Sequence, residues 1–350
     1  MKHGLPLNRM ITAHAGCENT SSNSAENVRC ALETGCAALE LDMRFSGGIV
    51  YLSHDARPHD MDCYTLGQAL DEIADSDIKV NCDIKEDEAL VPVIKKFAEY
   101  GMHNRMIMTG NFPRDFATDN GDIEFYLNLN YLIDENFIKY HPEEAAEKAL
   151  ELADIYGKQV NLKGYNMHYS CASRTLTDAL HNNGLEISVW TPSDFESVAD
   201  MIRMGADNVT TRTPVSAVSF LKDHLNPGND FADEMFLRFE HDLMCADIAN
   251  ETRKYREKLQ RQYATARVTK REYTVHGFYT HFEITDKSHT LGDGVYEFLG
   301  AVAADVNDLK NGTGYVLIIR DGLIACMEGY AYDEDFPRKI ERYEIKPSNS

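Results

Sequence analysis

The stretch Cys36-Ala37-Ala38-Leu39-Glu40-Leu41-Asp42-Met43 decides the fold, and it follows Glu33-Thr34-Gly35. Residues two apart on a strand share a face. Leu39, Leu41 and Met43 therefore line one side, and Glu40 and Asp42 line the other. In a barrel the outward face packs on helices, so the apolar side points out. The two carboxylates then point inward, where charge needs a partner. The glycine ahead of the strand permits the left-handed backbone that ends a helix.

The same hand-over recurs along the chain. Asn182-Asn183-Gly184 leads into Leu185–Trp190, and Arg203-Met204-Gly205 leads into Ala206–Thr210. Asn23 with Glu26, and Ser193 with Glu196, have capping-box spacing ahead of periodic apolar stretches. The expected strands are Met10–His14, Leu39–Met43, Ile78–Ile84, Met106–Gly110, Phe125–Leu129, Gln159–Lys163, Ile187–Trp190 and Asn208–Thr211, most of them separated by helix-length segments. Gly48–His54 reads as an extra strand. Eight such units in roughly 220 residues predict an α/β fold, a TIM (β/α)8 barrel over residues 1–225. A doubly wound open sheet is the competing arrangement.

The pattern changes at Asn226-Pro227-Gly228-Asn229-Asp230, a turn-rich break. Beyond it the sequence predicts a C-terminal α+β accessory domain over 231–350. A helix is expected from Phe231 to about Tyr263, then strands at Tyr273–Ile284, Tyr315–Arg320 and Leu323–Tyr332 with Asp321-Gly322 as a hairpin turn. Its scattered histidines, His276, His281 and His289, do not share a strand face and suggest no metal site. Self-association through this domain is an expectation only.

Composition narrows the function. The chain of 350 residues has 43% hydrophobic and 26% charged residues, which suits a globular protein. Its formal net charge of -22 argues against general nucleic-acid binding and against docking on an anionic membrane. No run approaches the length of a membrane span, so no stable membrane insertion is expected. Residues 1–10 lack the apolar core of a signal peptide. The 8 cysteines are dispersed without a CxxC pair, which suits free thiols in a reducing compartment and a cytoplasmic location.

Catalytic groups of such barrels sit at the carboxyl ends of strands. Those ends carry His14, Glu40 with Asp42, His54 with Asp55, and Asp83 with Lys85. Three crowded carboxylates repel unless a cation sits among them. Oxygen donors suit a divalent metal, Mg²⁺ or Ca²⁺, with a substrate phosphate completing its shell. Two histidines can exchange protons near neutral pH. The set suits cleavage of a small-molecule phosphodiester substrate. Trp190, Lys163 and Arg212, which end later strands, are further candidates for substrate binding. Asn128 and Asn130 are candidates for substrate hydroxyls, and Asn23 for a helix cap.

Ile11-Thr12-Ala13-His14-Ala15-Gly16, Asn23-Ser24, Glu40-Leu41-Asp42, Leu52-Ser53-His54-Asp55 and Asp83-Ile84-Lys85 resemble the glycerophosphodiester phosphodiesterase family. Val189-Trp190-Thr191 and Thr210-Thr211-Arg212-Thr213-Pro214 are similar to its closing segments. The resemblance runs from Met10 to Leu221. It implies a barrel that hydrolyses glycerophosphodiesters to an alcohol and glycerol 3-phosphate. The metal would lie on Glu40, Asp42 and Asp83, with His14 and His54 as acid and base. It also implies attack by the glycerol 2-hydroxyl through a cyclic phosphate.

This chain departs from that pattern. Ala15 replaces an arginine, Ser22 a glutamate and Asp83 a glutamate, while Arg212 stands in place of an aspartate. In a closed barrel Arg212 would lie beside His14 and could resupply the lost guanidinium. Two other readings remain open: a sphingomyelinase-D-like lysophospholipid phosphodiesterase, and a catalytically decayed barrel that binds without turnover. Charge is unevenly spread. Residues 225–350 hold 22 acidic and 16 basic side chains, leaving 35 acidic and 19 basic before them. So acidic a barrel would repel an anionic substrate until a cation occupies its mouth.

Overall fold

The structure is a computed structural model, and it describes residues 9–57, 62–110, 112–113, 115–118, 121–225, 231–292, 295–299 and 302–347. The described residues divide into two compact units, one from Arg9 to Val218 and one from Ser219 onward. The division falls inside the helix Pro214–Leu225, just ahead of the turn-rich break.

The first unit is the expected barrel. Its strands are β1 (Met10–Ala13), β2 (Ala38–Ser46), β3 (Ile49–Leu52), β4 (Lys79–Ile84), β5 (Met106–Gly110), β6 (Glu124–Asn128), β7 (Leu162–His168), β8 (Glu186–Trp190) and β9 (Asn208–Thr211). The sheet runs β1-β9-β8-β7-β6-β5-β4-β2-β3 and closes through β1 on β2. The eight barrel strands are parallel. β3 folds back antiparallel on β2 as a hairpin and ends just before His54. Closure excludes the open sheet. No helix joins β5 to β6 among the described residues.

The two faces of β2 behave as its sequence requires. Leu39, Leu41 and Met43 are fully buried on the outer side. Inside, Ala38, Ile107 and Tyr126, with Met10 against them, form an apolar plug near the amino ends of the strands. Above it runs a chain of buried side-chain hydrogen bonds. Thr12 donates to Asn208, Asn208 to Ser188, Ser188 to Asn166 and Asn166 to Asn128, at 2.7, 3.0, 2.9 and 2.8 Å. Every amide in that chain has a partner inside the barrel, so the interior is polar without being costly.

Several boundaries differ from expectation. β7 begins at Leu162 and ends at His168, so Lys163 opens this strand instead of closing it. Gly164 lies inside β7 because a Cβ there would sit 1.8 Å from the Glu186 carbonyl oxygen. Ser24, not Asn23, caps the first helix, Ala25–Thr34, accepting from the Asn27 amide. Asp194, not Ser193, caps Phe195–Met204.

The second unit has two helices where one was expected, Glu234–Asn250 and Arg253–Ala264, because Glu251 and Thr252 are extended. Likewise Tyr273–Ile284 is not one strand. β10 (Ala266–Thr274) turns at Val275-His276 into β11 (Gly277–Ile284). With β12 (Val295–Leu299), β14 (Thr313–Arg320) and β15 (Leu323–Ala331) they form an antiparallel sheet ordered β10-β11-β15-β14-β12. β13 (Val302–Val306) pairs with β16 (Tyr343–Pro347). Asp321-Gly322 makes the expected hairpin turn, with φ of 51° and 76°. His276, His281 and His289 each face their own carboxylate, Asp335, Glu272 and Asp286.

This unit is held by Phe236, Phe239, Phe278, Tyr315 and Phe336, and by one buried ion pair. Arg271 grips Glu240 through two bonds of 2.7 and 2.8 Å, while Thr280 donates to the same carboxylate. Removing one partner strands a buried charge. Glu240→Ala is therefore expected to destabilise this unit by about 3–5 kcal/mol. Urea unfolding followed by far-ultraviolet circular dichroism checks it, and a loss below about 1 kcal/mol would contradict the pairing.

Candidate active site

The carboxyl ends of β1, β2 and β4 bring five of the candidate residues together. Strand register sets Asp42 beside Asp83. His14 follows β1 directly, its amide bonded to the Thr211 carbonyl. Its Nε2 lies 3.7 Å from Oε2 of Glu40. Lys85 extends its ammonium between two carboxylates, 2.8 Å from Asp42 and 2.5 Å from Asp83. Gly16, with φ of 105°, turns the chain away from His14 and packs against Ser22, where a Cβ would meet the hydroxyl at 2.5 Å.

Asn23 has a different task from the expected cap. It takes a left-handed φ of 55°, donates to Oδ2 of Asp42 at 2.6 Å and accepts from the Asp42 amide at 2.9 Å. This two-point grip leaves the other oxygen of Asp42 facing Lys85.

Burial governs the charges. It pushes the Glu40 carboxyl up to about 8, with Asp83 and Asp42 adding repulsion. Asp83 is raised for the same first reason. Burial pulls Lys85 down, but Asp83 and Asp42 more than offset that and hold it above its ordinary range. Burial, then the charge of Arg212, lowers His14 to about 4. Its imidazole is thus a neutral base at physiological pH. Two buried atoms lack hydrogen-bond partners here, Nδ1 of His14 and Oε2 of Glu40.

The donor set fits a hard divalent cation. Asp42 and Asp83 share the single positive charge of Lys85, and one oxygen of the neighbouring Glu40 is orphaned. Among the described residues no three His, Cys, Asp or Glu side chains stand as a formed metal cage. The Lys85 ammonium bridges Asp42 and Asp83.

The remaining candidates separate. His54 stands at the rim with its side chain 73% exposed, and Nδ1 lies 2.9 Å from Asp55. Its charge acts on Asp83, but it makes no contact with the carboxylates or His14. Arg44 anchors its loop, donating to the His54 carbonyl at 3.2 and 2.7 Å while paired with Glu86 at 2.9 Å. Arg212 follows β9, the neighbour of β1, with its side chain exposed. Ala15 is buried. Trp190 ends β8, and its Nε1 is buried without a partner.

Lys163 is a correction. It lies at the amino end of β7, and its charge acts on Glu186, the first residue of β8. It therefore belongs to the end of the barrel opposite the mouth. Asn128 is also withdrawn, since its amide oxygen is taken by Asn166 inside the barrel. The residue that does close β7 is His168, which the misplaced strand concealed. Its signal was the alternation of apolar Tyr165 and Met167 with polar Asn166 and His168.

Solved structures similar to this chain include the following. One, described as a glycerophosphoryl diester phosphodiesterase from Agrobacterium tumefaciens, matches with a TM-score of 0.51 at 16% identity, covering 62% of this chain and 98% of its own. A protein of like description from Silicibacter pomeroyi gives 0.49 at 17% identity, covering 63% and 95%. A glycerophosphodiester phosphodiesterase from Parabacteroides distasonis gives 0.46 at 18%, covering 61% and 97%. The chain has the barrel fold of the Agrobacterium protein. At such identity the likeness establishes fold alone. No family model matches the chain, and no curated protein matches it. No helix among the described residues is long and apolar enough to cross a membrane.

Proposed function

We propose that the barrel is a divalent-metal-dependent glycerophosphodiester phosphodiesterase, a phosphoric diester hydrolase releasing an alcohol and glycerol 3-phosphate. The observation that carries this reading is the convergence of His14, Glu40, Asp42, Asp83 and Lys85 at the carboxyl ends of three neighbouring strands. The barrel of the Agrobacterium protein and its description support it.

Glu40, Asp42 and Asp83 would hold the cation, which when bound supplies positive charge to the non-bridging phosphate oxygens. Asn23 keeps Asp42 oriented for that task. Neutral His14 removes the proton from the attacking glycerol 2-hydroxyl. A P–O bond forms to that oxygen as the bond to the departing alcohol breaks. His54, oriented by Asp55, gives the leaving alkoxide its proton. Water then opens the cyclic phosphate, with the two histidines exchanging roles. Lys85 and Arg212 offset charge gathering on phosphate oxygens.

A substrate panel tests this. The purified chain should release alcohol from glycerophosphocholine or glycerophosphoglycerol with Mg²⁺ or Ca²⁺, and lose at least about 100-fold in rate in EDTA. Full activity in chelator would remove the cation from the scheme. Turnover of lysophosphatidylcholine alone would favour a lysophospholipid phosphodiesterase, and no turnover of any diester a binding barrel.

A further inference from the structure

His168 closes β7 and Trp190 closes β8, and strand register sets them side by side. Asn166, two residues before His168, points into the barrel interior, where it bonds to Asn128 and Ser188. His168 shares its face and so meets the mouth. The two rings touch edge to face, with centroids 5.3 Å apart at 85°. Tyr169 packs against the imidazole at 4.7 Å.

The tautomer of His168 is decided by its neighbours. The Ser170 amide, which can only donate, points at Nδ1 from 3.3 Å, and the Ser170 hydroxyl lies 2.8 Å from the same atom. Nδ1 is therefore an acceptor, and the neutral ring carries its proton on Nε2. Among the described residues that Nε2–H meets no partner. On the neighbouring ring, the indole N–H of Trp190 is buried and also without a partner. A buried donor left unmatched costs about 1–3 kcal/mol, which an acceptor on a ligand removes.

We propose that His168 and Trp190 form a headgroup subsite that selects a hydroxyl-rich leaving alcohol, a polyol such as glycerol or inositol, over a quaternary ammonium. This rests on the phosphodiesterase reading for its place in the reaction. β8 lies two strands round the barrel from β1 and His14, about 10 Å at ordinary strand spacing. That offset suits the departing side of a phosphodiester. The paired donors present the positive ends of N–H bonds, and the next strand end carries Arg212. A trimethylammonium group has no lone pair to accept from these donors, whereas hydroxyl oxygens do.

Trp190 is the only tryptophan of the chain, so its emission reports on this subsite alone. The full chain with Mg²⁺ is titrated with myo-inositol 1-phosphate and with phosphocholine. The inositol phosphate should shift the emission saturably and bind at least about 10-fold tighter than phosphocholine. His168→Ala should weaken the inositol phosphate about 10-fold or more, and His168→Gln, which keeps a side-chain N–H donor, should restore part of it. Equal or tighter binding of phosphocholine, no response to either probe, or unchanged affinity in His168→Ala overturns the subsite. If the inositol phosphate binds as expected while no diester is hydrolysed, the phosphodiesterase reading falls and the subsite stands.

Discussion

His14→Ala is expected to lower kcat on a glycerophosphodiester by about 100- to 10,000-fold, the span of a lost general base. The effect should fall on kcat more than on KM, since the imidazole handles a proton in the transition state and does not grip the ground state. His14 is well placed for that role. It is buried near Arg212 and Lys85, stays neutral down to about pH 4, and has an unpartnered Nδ1. The variant should fold, because the alanine removes a side chain whose ion-pair contact among the described residues is the long 3.7 Å approach to Glu40. Steady-state kinetics with circular dichroism as a folding control decides the matter. Turnover within a few-fold of the parent would remove His14 from the chemistry.

Glu40→Gln is expected to act in opposite directions on stability and activity. The Glu40 carboxyl has a pKa of about 8 in the fold against 4.5 as a free side chain. Between those values the folded chain holds a proton that the unfolded chain gives up, so Glu40 costs stability progressively as pH rises from 4.5 through 8. Glutamine carries no charge to bury. The variant should be more stable than the metal-free parent by about 2–4 kcal/mol at pH 8 and little different at pH 5. It should also lose turnover, because a neutral amide is a poor ligand for a hard cation. Divalent cation should raise the melting temperature of the parent and leave the variant nearly unmoved. His14 contributes with the other sign. Its lowered pKa costs stability as pH falls from 6.5 toward 4, so pH 5 comparisons must include it. A variant less stable than the parent at pH 8 would show that Glu40 is not a strained group.

The barrel was legible because its signals are local and repeated. Glycines after helices, alternating polarity in β2 and strand-end ionisable groups all survive in a single sequence. The grouping of Glu40, Asp42, Asp83 and Lys85 was legible for the same reason, since strand parity alone puts each pair on one face. β7 was placed too early because Lys163-Gly164 looks like a strand end. The structure places that glycine within the strand, where the Glu186 carbonyl leaves no space for a side chain. That single shift sent Lys163 to the wrong end of the barrel and hid His168.

Asn23 was misread for a related reason. Asparagine is both a good helix cap and a residue that tolerates left-handed backbone, and the choice depends on Asp42, nineteen residues away. The exposure of His54 was equally invisible, because it depends on a hairpin and on the hold of Arg44 over a carbonyl. The pairing of Glu240 with Arg271 joins a helix to a strand 31 residues later, and no local pattern announces it.

The central claim is that the mouth of this barrel hydrolyses a phosphodiester at phosphorus. The most direct measurement is ³¹P NMR of glycerophosphoglycerol incubated with the protein and Mg²⁺ in ¹⁸O-enriched water. The account predicts a glycerol 3-phosphate resonance carrying the isotope shift of one ¹⁸O, with no label in the released alcohol. Unchanged diester with either Mg²⁺ or Ca²⁺, or label in the alcohol, would contradict it.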